Sequence, residues 1–208
     1  MKPILFNTEM VRAILDGRKT TTRRVIKPQP MKKYCGGIIT DSYKKSDIGK
    51  VVFSDEENMI CGKPELVTKM PYKINDILYV RETWNENPAH DTNENFEGLP
   101  PKEQFAIYKA TSPEFSGGWR PSIFMPKEAA RIFLRVKGVR AERLQNITDE
   151  EAENEGCTDA TSTAMGFFDV WDSTIKKSDR DKYGWNANPW VWVISFEQCK
   201  KPEDTTDA

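Results

Sequence analysis

Met10, Val11, Ile14 and Leu15 recur at helical spacing behind Asn7 and Thr8, either of which suits a helix N-cap, with Glu9 in the first turn. Gly17 follows as the stop, and the spacing predicts a short helix preceded by an extended Pro3–Phe6 segment. Thr20 to Ile26 is rich in β-branched residues and predicts a strand, closed by Pro28 and Pro30. Alternation is clearest from Asp76 to Trp84: Leu78, Val80, Glu82 and Trp84 share one face, and Ile77, Tyr79, Arg81 and Thr83 the other. Further strands are predicted at 105–111, 129–144 and 191–196. Thr148 and Glu151 form a capping box opening an acidic helix, and 167–175 has helical spacing. Residues 31–71, punctuated by four glycines, suggest only weak hairpins, and 85–104 is a polar loop.

Strands without regular crossover helices predict an α+β fold, with an antiparallel or mixed barrel-like sheet. The chain of 208 residues fits one domain over about 1–200, with insertions near 31–70 and 85–104 and a disordered tail at 201–208. Neither a GxGxxG nor a Walker A segment is present, so no nucleotide cofactor is expected. The acids at 150–155 lack calcium-loop spacing and read as a solvated helix face.

Composition narrows the class. No apolar run is long enough to span a membrane, the mean hydropathy is -0.67, and the four cysteines form no CxxC pair. The expectation is a cytoplasmic protein with reduced thiols, no membrane partner and no metal. His90 is the only histidine and lies in the polar loop, so a Ser-His-Asp triad would have to run through it. The net charge of -1 conceals a basic start: residues 1–33 hold nine Lys/Arg against Glu9 and Asp16. Such a segment can attract a phosphate-bearing partner, or can be a solvated face balancing the acidic remainder.

The basic residues gather in Gly17-Arg18-Lys19-Thr20-Thr21-Thr22-Arg23-Arg24. With the helix before it, this stretch resembles the opening of ASCH-domain proteins of the PUA-like superfamily, whose signature is a helix followed by GxKxxExR. Gly17, Lys19 and Arg24 match, and Thr22 stands where many members have Glu. Asn75-Asp76-Ile77-Leu78-Tyr79-Val80-Arg81-Glu82 is similar to the family's G-D-x-L-x-V-x-E strand, with Asn75 replacing Gly. The likeness covers residues 1–30, 70–84 and 105–196 and is greatest to the larger phage-borne and bacterial members. It implies a PUA-like small β-barrel. A branch with Thr at the position of Thr22 hydrolyses N(4)-acetylcytidine, which implies Lys19, Thr22 and Glu82 as catalytic residues.

The residues themselves suit a pocket. Thr22 and Arg24 share a strand face, and Glu82, if its face points inward, needs a cation, for which Lys19 is the natural candidate. Amide cleavage needs a nucleophile, a base and an acid for the leaving amine, and a Thr–Lys pair can replace a histidine. Thr22 would attack or order water, Lys19 would take its proton, and Glu82 would pass a proton to the exocyclic nitrogen. Arg24, Tyr79, Arg81, Trp84 and Trp119 are the expected substrate contacts, with Tyr108, Lys109 and Arg120 near them in type. Each has a plainer explanation. Lys19 can satisfy helix carbonyls, Glu82 can bridge to Arg24 or Arg23, Thr22 can be there for β-propensity, and Trp84 can be core. The expected partner is a modified pyrimidine nucleoside or RNA. The competing reading is a non-catalytic module that binds RNA or a modified base.

Overall fold

A computed structural model describes residues 1–32, 34–54, 65–86, 106–157 and 163–202. The chain divides into two compact units: 1–20, 75–136 and 196–208 form the first, and 21–74 and 137–195 the second. The fold is α+β. Most of the predicted loop at 85–104, His90 within it, and the end of the tail lie outside the described residues.

In the first unit, β1 (Lys2–Leu5) pairs in parallel with β6 (Ile77–Arg81), Leu5 opposite Arg81. β6 pairs antiparallel with the start of β9 (Phe133–Arg143), giving the order β1-β6-β9-β10, where β10 is Trp190–Cys199. A two-stranded ladder joins β7 (Trp84–Glu86) to β8 (Ala106–Tyr108). The alternation read from 76–84 is realised side chain by side chain: Leu78, Val80, Glu82 and Trp84 are buried, and Ile77, Tyr79, Arg81 and Thr83 are half-buried. Trp84 and Tyr108 pack with Met125, Ala129, Ala130 and Phe133 in the core of this unit.

Helix α1 (Thr8–Leu15) forms as its sequence requires, with the Asn7 Oδ1 accepting the Met10 N–H at 2.8 Å. It buries Val11, Ala13 and Ile14. Gly17 ends it at φ 75°, the left-handed conformation that a Cβ disfavours. Asn75 also has positive φ, at 70°. Asn visits that region more readily than other side-chain-bearing residues.

In the second unit, β2 (Thr21–Val25) pairs antiparallel with the first half of β10, from Val191 opposite Val25 to Ser195 opposite Thr21. The latter part of β9 lies here too. β3 (Tyr34–Ile38), β4 (Lys50–Ser54) and β5 (Glu65–Lys69) build an antiparallel three-stranded sheet where only weak hairpins were expected. Helices α2 (Asp149–Asn154), α3 (Thr163–Thr174) and α4 (Arg180–Tyr183) complete the unit. The capping box of α2 is present in both directions between Thr148 and Glu151. Leu144, Ile147, Ala152, Phe167, Trp171, Val191 and Val193 form its core.

Two expectations change. Among the described residues no sheet closes on itself, so the barrel is corrected to open sheets; strand patterning specifies faces, not closure. The acidic helix is not simply a solvated face either. Glu155, just past α2, is buried, and with Glu151 it turns toward Arg23. Among the described residues no helix is long and apolar enough to cross a membrane.

Candidate functional site

The turn after α1 delivers Lys19 to the interior of the first unit, where it is 2% exposed. The last carbonyls of α1 have other donors: Asp16 N–H to Arg12, Lys19's own backbone N–H to Ala13 at 2.9 Å, and Gly17 N–H and the Gln198 amide to Ile14. The ammonium lies 5.7 Å from the centroid of the Phe6 ring. Phe6 in turn gives its backbone N–H to the Arg81 carbonyl at 3.2 Å, beside Glu82, and packs against Phe196. Phe6 thus ties the environment of Lys19 to the end of β6.

Glu82 is 1% exposed. Arg131, a cation not weighed from sequence, pairs with it. The Arg131 Nε and Nη2 donate to Glu82 Oε1 and Oε2 at 3.0 and 3.1 Å, a two-pronged contact. Arg131 also donates through Nη1 to Thr111 Oγ1 at 3.2 Å, and its guanidinium stacks 3.9 Å from the Tyr108 ring centroid. The Tyr108 hydroxyl donates to the Ala129 carbonyl at 2.6 Å, which fixes that ring. Burial pushes the Glu82 carboxyl above its ordinary value; the hydrogen bonds and charge of Arg131 pull the other way without cancelling it. Neither sequence separation nor a strand pattern marks Arg131; the one available signal was the need of a buried carboxylate for a cation.

The expected substrate contacts of this unit are distributed as follows. Trp84 is 2% exposed and belongs to the core, with the Arg120 guanidinium 5.5 Å from its ring. Tyr79 is half-buried against that core, and half-buried Trp119 meets Phe115 edge to face at 5.3 Å. Arg81 holds the 123–125 turn, donating to the carbonyls of Met125, at 2.9 Å, and of Ile123. Lys19 and Glu82 are both buried within this unit, and Arg81 and Trp84 have partners of their own.

Thr22 and Arg24 belong to the second unit, on β2. Thr22 is 1% exposed and lies opposite Ile194 of β10. Arg24 is half-buried, and burial pushes its guanidinium below the ordinary value against the opposing pull of Glu155 and Tyr72. Between them in sequence, Arg23 is directed at acids: Nη2 donates to Glu142 at 2.7 Å and Glu151 at 2.8 Å, and Nη1 to Glu155 at 3.1 Å. Arg140 adds a second cation to Glu142 and Glu151.

The basic start of the chain is largely committed within each unit. Lys2 pairs with Asp76, Arg12 with Glu9, Arg18 with Asp16 and Arg23 with three glutamates, while Lys27 stacks on Tyr183. Comparison with known protein families, curated proteins and solved structures returns no match.

Proposed function

We propose that the chain is an amidohydrolase that removes an acyl group from a modified pyrimidine nucleoside such as N(4)-acetylcytidine. The observation that carries this reading is the burial of two opposite charges, Lys19 at 2% and Glu82 at 1% exposure, in one unit. Lys and Glu are seldom buried so fully, because desolvation costs several kcal/mol per ion, and such groups cluster at sites of chemistry. A desolvated lysine is the kind that can lose its proton near neutral pH. In this reading Lys19 is the base and Glu82 carries a proton to the leaving nitrogen. Any role for Thr22 comes from the likeness to the hydrolytic ASCH branch. Tyr79 and Trp119, both half-buried, are the aromatic surfaces offered to the pyrimidine.

The competing reading, a non-catalytic RNA or base-binding module, drew its support from the basic start. Lys2, Arg12, Arg18, Lys19, Arg23 and Lys27 among those cations already have acidic or aromatic partners, which weakens a phosphate-tracking role for them. The test is incubation of the protein with acylated and alkylated nucleosides and detection of products by mass. Release of the free amine from an acylated cytidine supports the hydrolase. Binding without any product supports the module.

A further inference from the structure

Glu82 can relay a proton only if it begins the reaction without one, and its surroundings oppose that state. Its carboxylate is buried, its backbone N–H is given to the Met125 sulfur at 3.2 Å, and apolar Val80 and Trp84 flank it along the chain. Among the described residues, the charged group recorded against it is Arg131, with Tyr108 stacked behind that guanidinium; Lys19, buried in the same unit, has its ammonium near Phe6. Of these, Arg131 touches both carboxylate oxygens.

Arg131 is itself locked on three sides: by Glu82, by the Thr111 hydroxyl and by the Tyr108 face. A salt bridge that served stability alone would need the charge, not a fork held in one plane. We propose that Arg131 is a positioning residue, which fixes the plane of the Glu82 carboxylate and holds it as an anion ready to take up a proton. The proposal rests on the hydrolytic reading above. In that reaction water adds through oxygen to the acyl carbon and gives up a proton, and the carbon–nitrogen bond breaks. The leaving nitrogen takes one proton, giving the amine and the free carboxylic acid, and no oxidant or reductant enters. Glu82 is the way-station for the proton, and Arg131 sets where that station stands and that it is empty.

Arg131→Lys keeps a charge but loses the fork; Arg131→Met loses both. Two readouts separate the proposal from the reading beneath it. The first is the Glu82 carboxyl titration, followed by carbon NMR in the free protein, which needs no turnover. It is expected to move to higher pH in Arg131→Met and less far in Arg131→Lys. The second is the pH profile of kcat on N(4)-acetylcytidine, whose acid limb is expected to follow the same shift. In Arg131→Lys, kcat is expected to fall about 100-fold with KM little changed, the scale on which misplacement by an ångström acts. Should Arg131→Met fail to fold, Arg131→Lys alone decides. An unshifted Glu82 titration in a folded variant, or wild-type kcat in Arg131→Lys, overturns the proposal. A wild type without turnover, together with a shifted titration, overturns the hydrolytic reading and with it the relay, while the hold of Arg131 on the charge of Glu82 stands.

Discussion

Arg23, whose side chain has no exposure, donates to Glu155, 4% exposed, at 3.1 Å across 132 residues of sequence. Glu142 and Glu151 complete three carboxylates around one guanidinium, and Arg140 offsets part of their charge. This cluster fastens α2 to β2 within the second unit. Removing the cation leaves a buried carboxylate without compensation, which costs more than the pair contributes when intact.

Arg23→Met is therefore expected to destabilise the protein by about 3–5 kcal/mol, read from urea unfolding midpoints. Adding Glu155→Gln to that variant is expected to restore part of the loss, because the stranded charge is removed with it. Equal stability of the single and double variants would show that Glu155 does not depend on Arg23.

Gly17 and Asn75, both at positive φ, give a prediction about the backbone. A Cβ at Gly17 would meet nothing within 4 Å, so Gly17→Ala tests the backbone alone. It is expected to cost about 1 kcal/mol. Asn75→Gly is expected to be tolerated within about 0.5 kcal/mol, and Asn75→Val to cost about 1–2 kcal/mol. Thermal unfolding of the three variants checks the order.

Glu82 gives a pH signature. Its carboxyl lies above the ordinary 4.5 in the folded protein because burial outweighs the pull of Arg131. The folded state thus binds the proton more tightly than the unfolded chain. The stability this proton contributes is full below 4.5 and is lost as pH rises through the raised native value. Wild type should therefore lose stability relative to Glu82→Gln as pH climbs from 4 toward neutrality, measured by denaturant unfolding at a series of pH values. A difference that widens in favour of wild type over the same range contradicts the assignment.

Local signals in the chain carried the local structure. Asn7, the spacing of Val11 and Ile14, and Gly17 specify α1, and the alternation through Leu78, Val80 and Glu82 specifies which face is buried. The Thr148–Glu151 capping box specifies the start of α2. What these local signals do not carry is the pairing of Glu82 with Arg131 and of Arg23 with its three glutamates. Arg131 is 49 residues from Glu82, and Glu142, Glu151 and Glu155 lie 119 to 132 residues from Arg23, so no spacing rule connects them. Acids at 150–155 look solvated until the buried guanidinium is known. The β3–β5 sheet was faint because Gly36, Gly37 and Gly49 interrupt the β-branched runs that announce strands. Burial of Glu82 follows from its strand face; Arg131 as its partner does not.

The catalytic account turns on whether Lys19 acts by losing a proton. Lys19→Arg keeps the positive charge, but an arginine cannot give up its proton at working pH. Thr22→Val removes a hydroxyl at nearly constant volume, and Glu82→Gln removes the proton station, with an expected loss of roughly 100- to 10,000-fold. The most direct measurement is the steady-state rate of acetate release from N(4)-acetylcytidine by wild type and by folded Lys19→Arg. Turnover by wild type and none by Lys19→Arg is the predicted result; equal rates in the two, or no turnover by wild type, would contradict it.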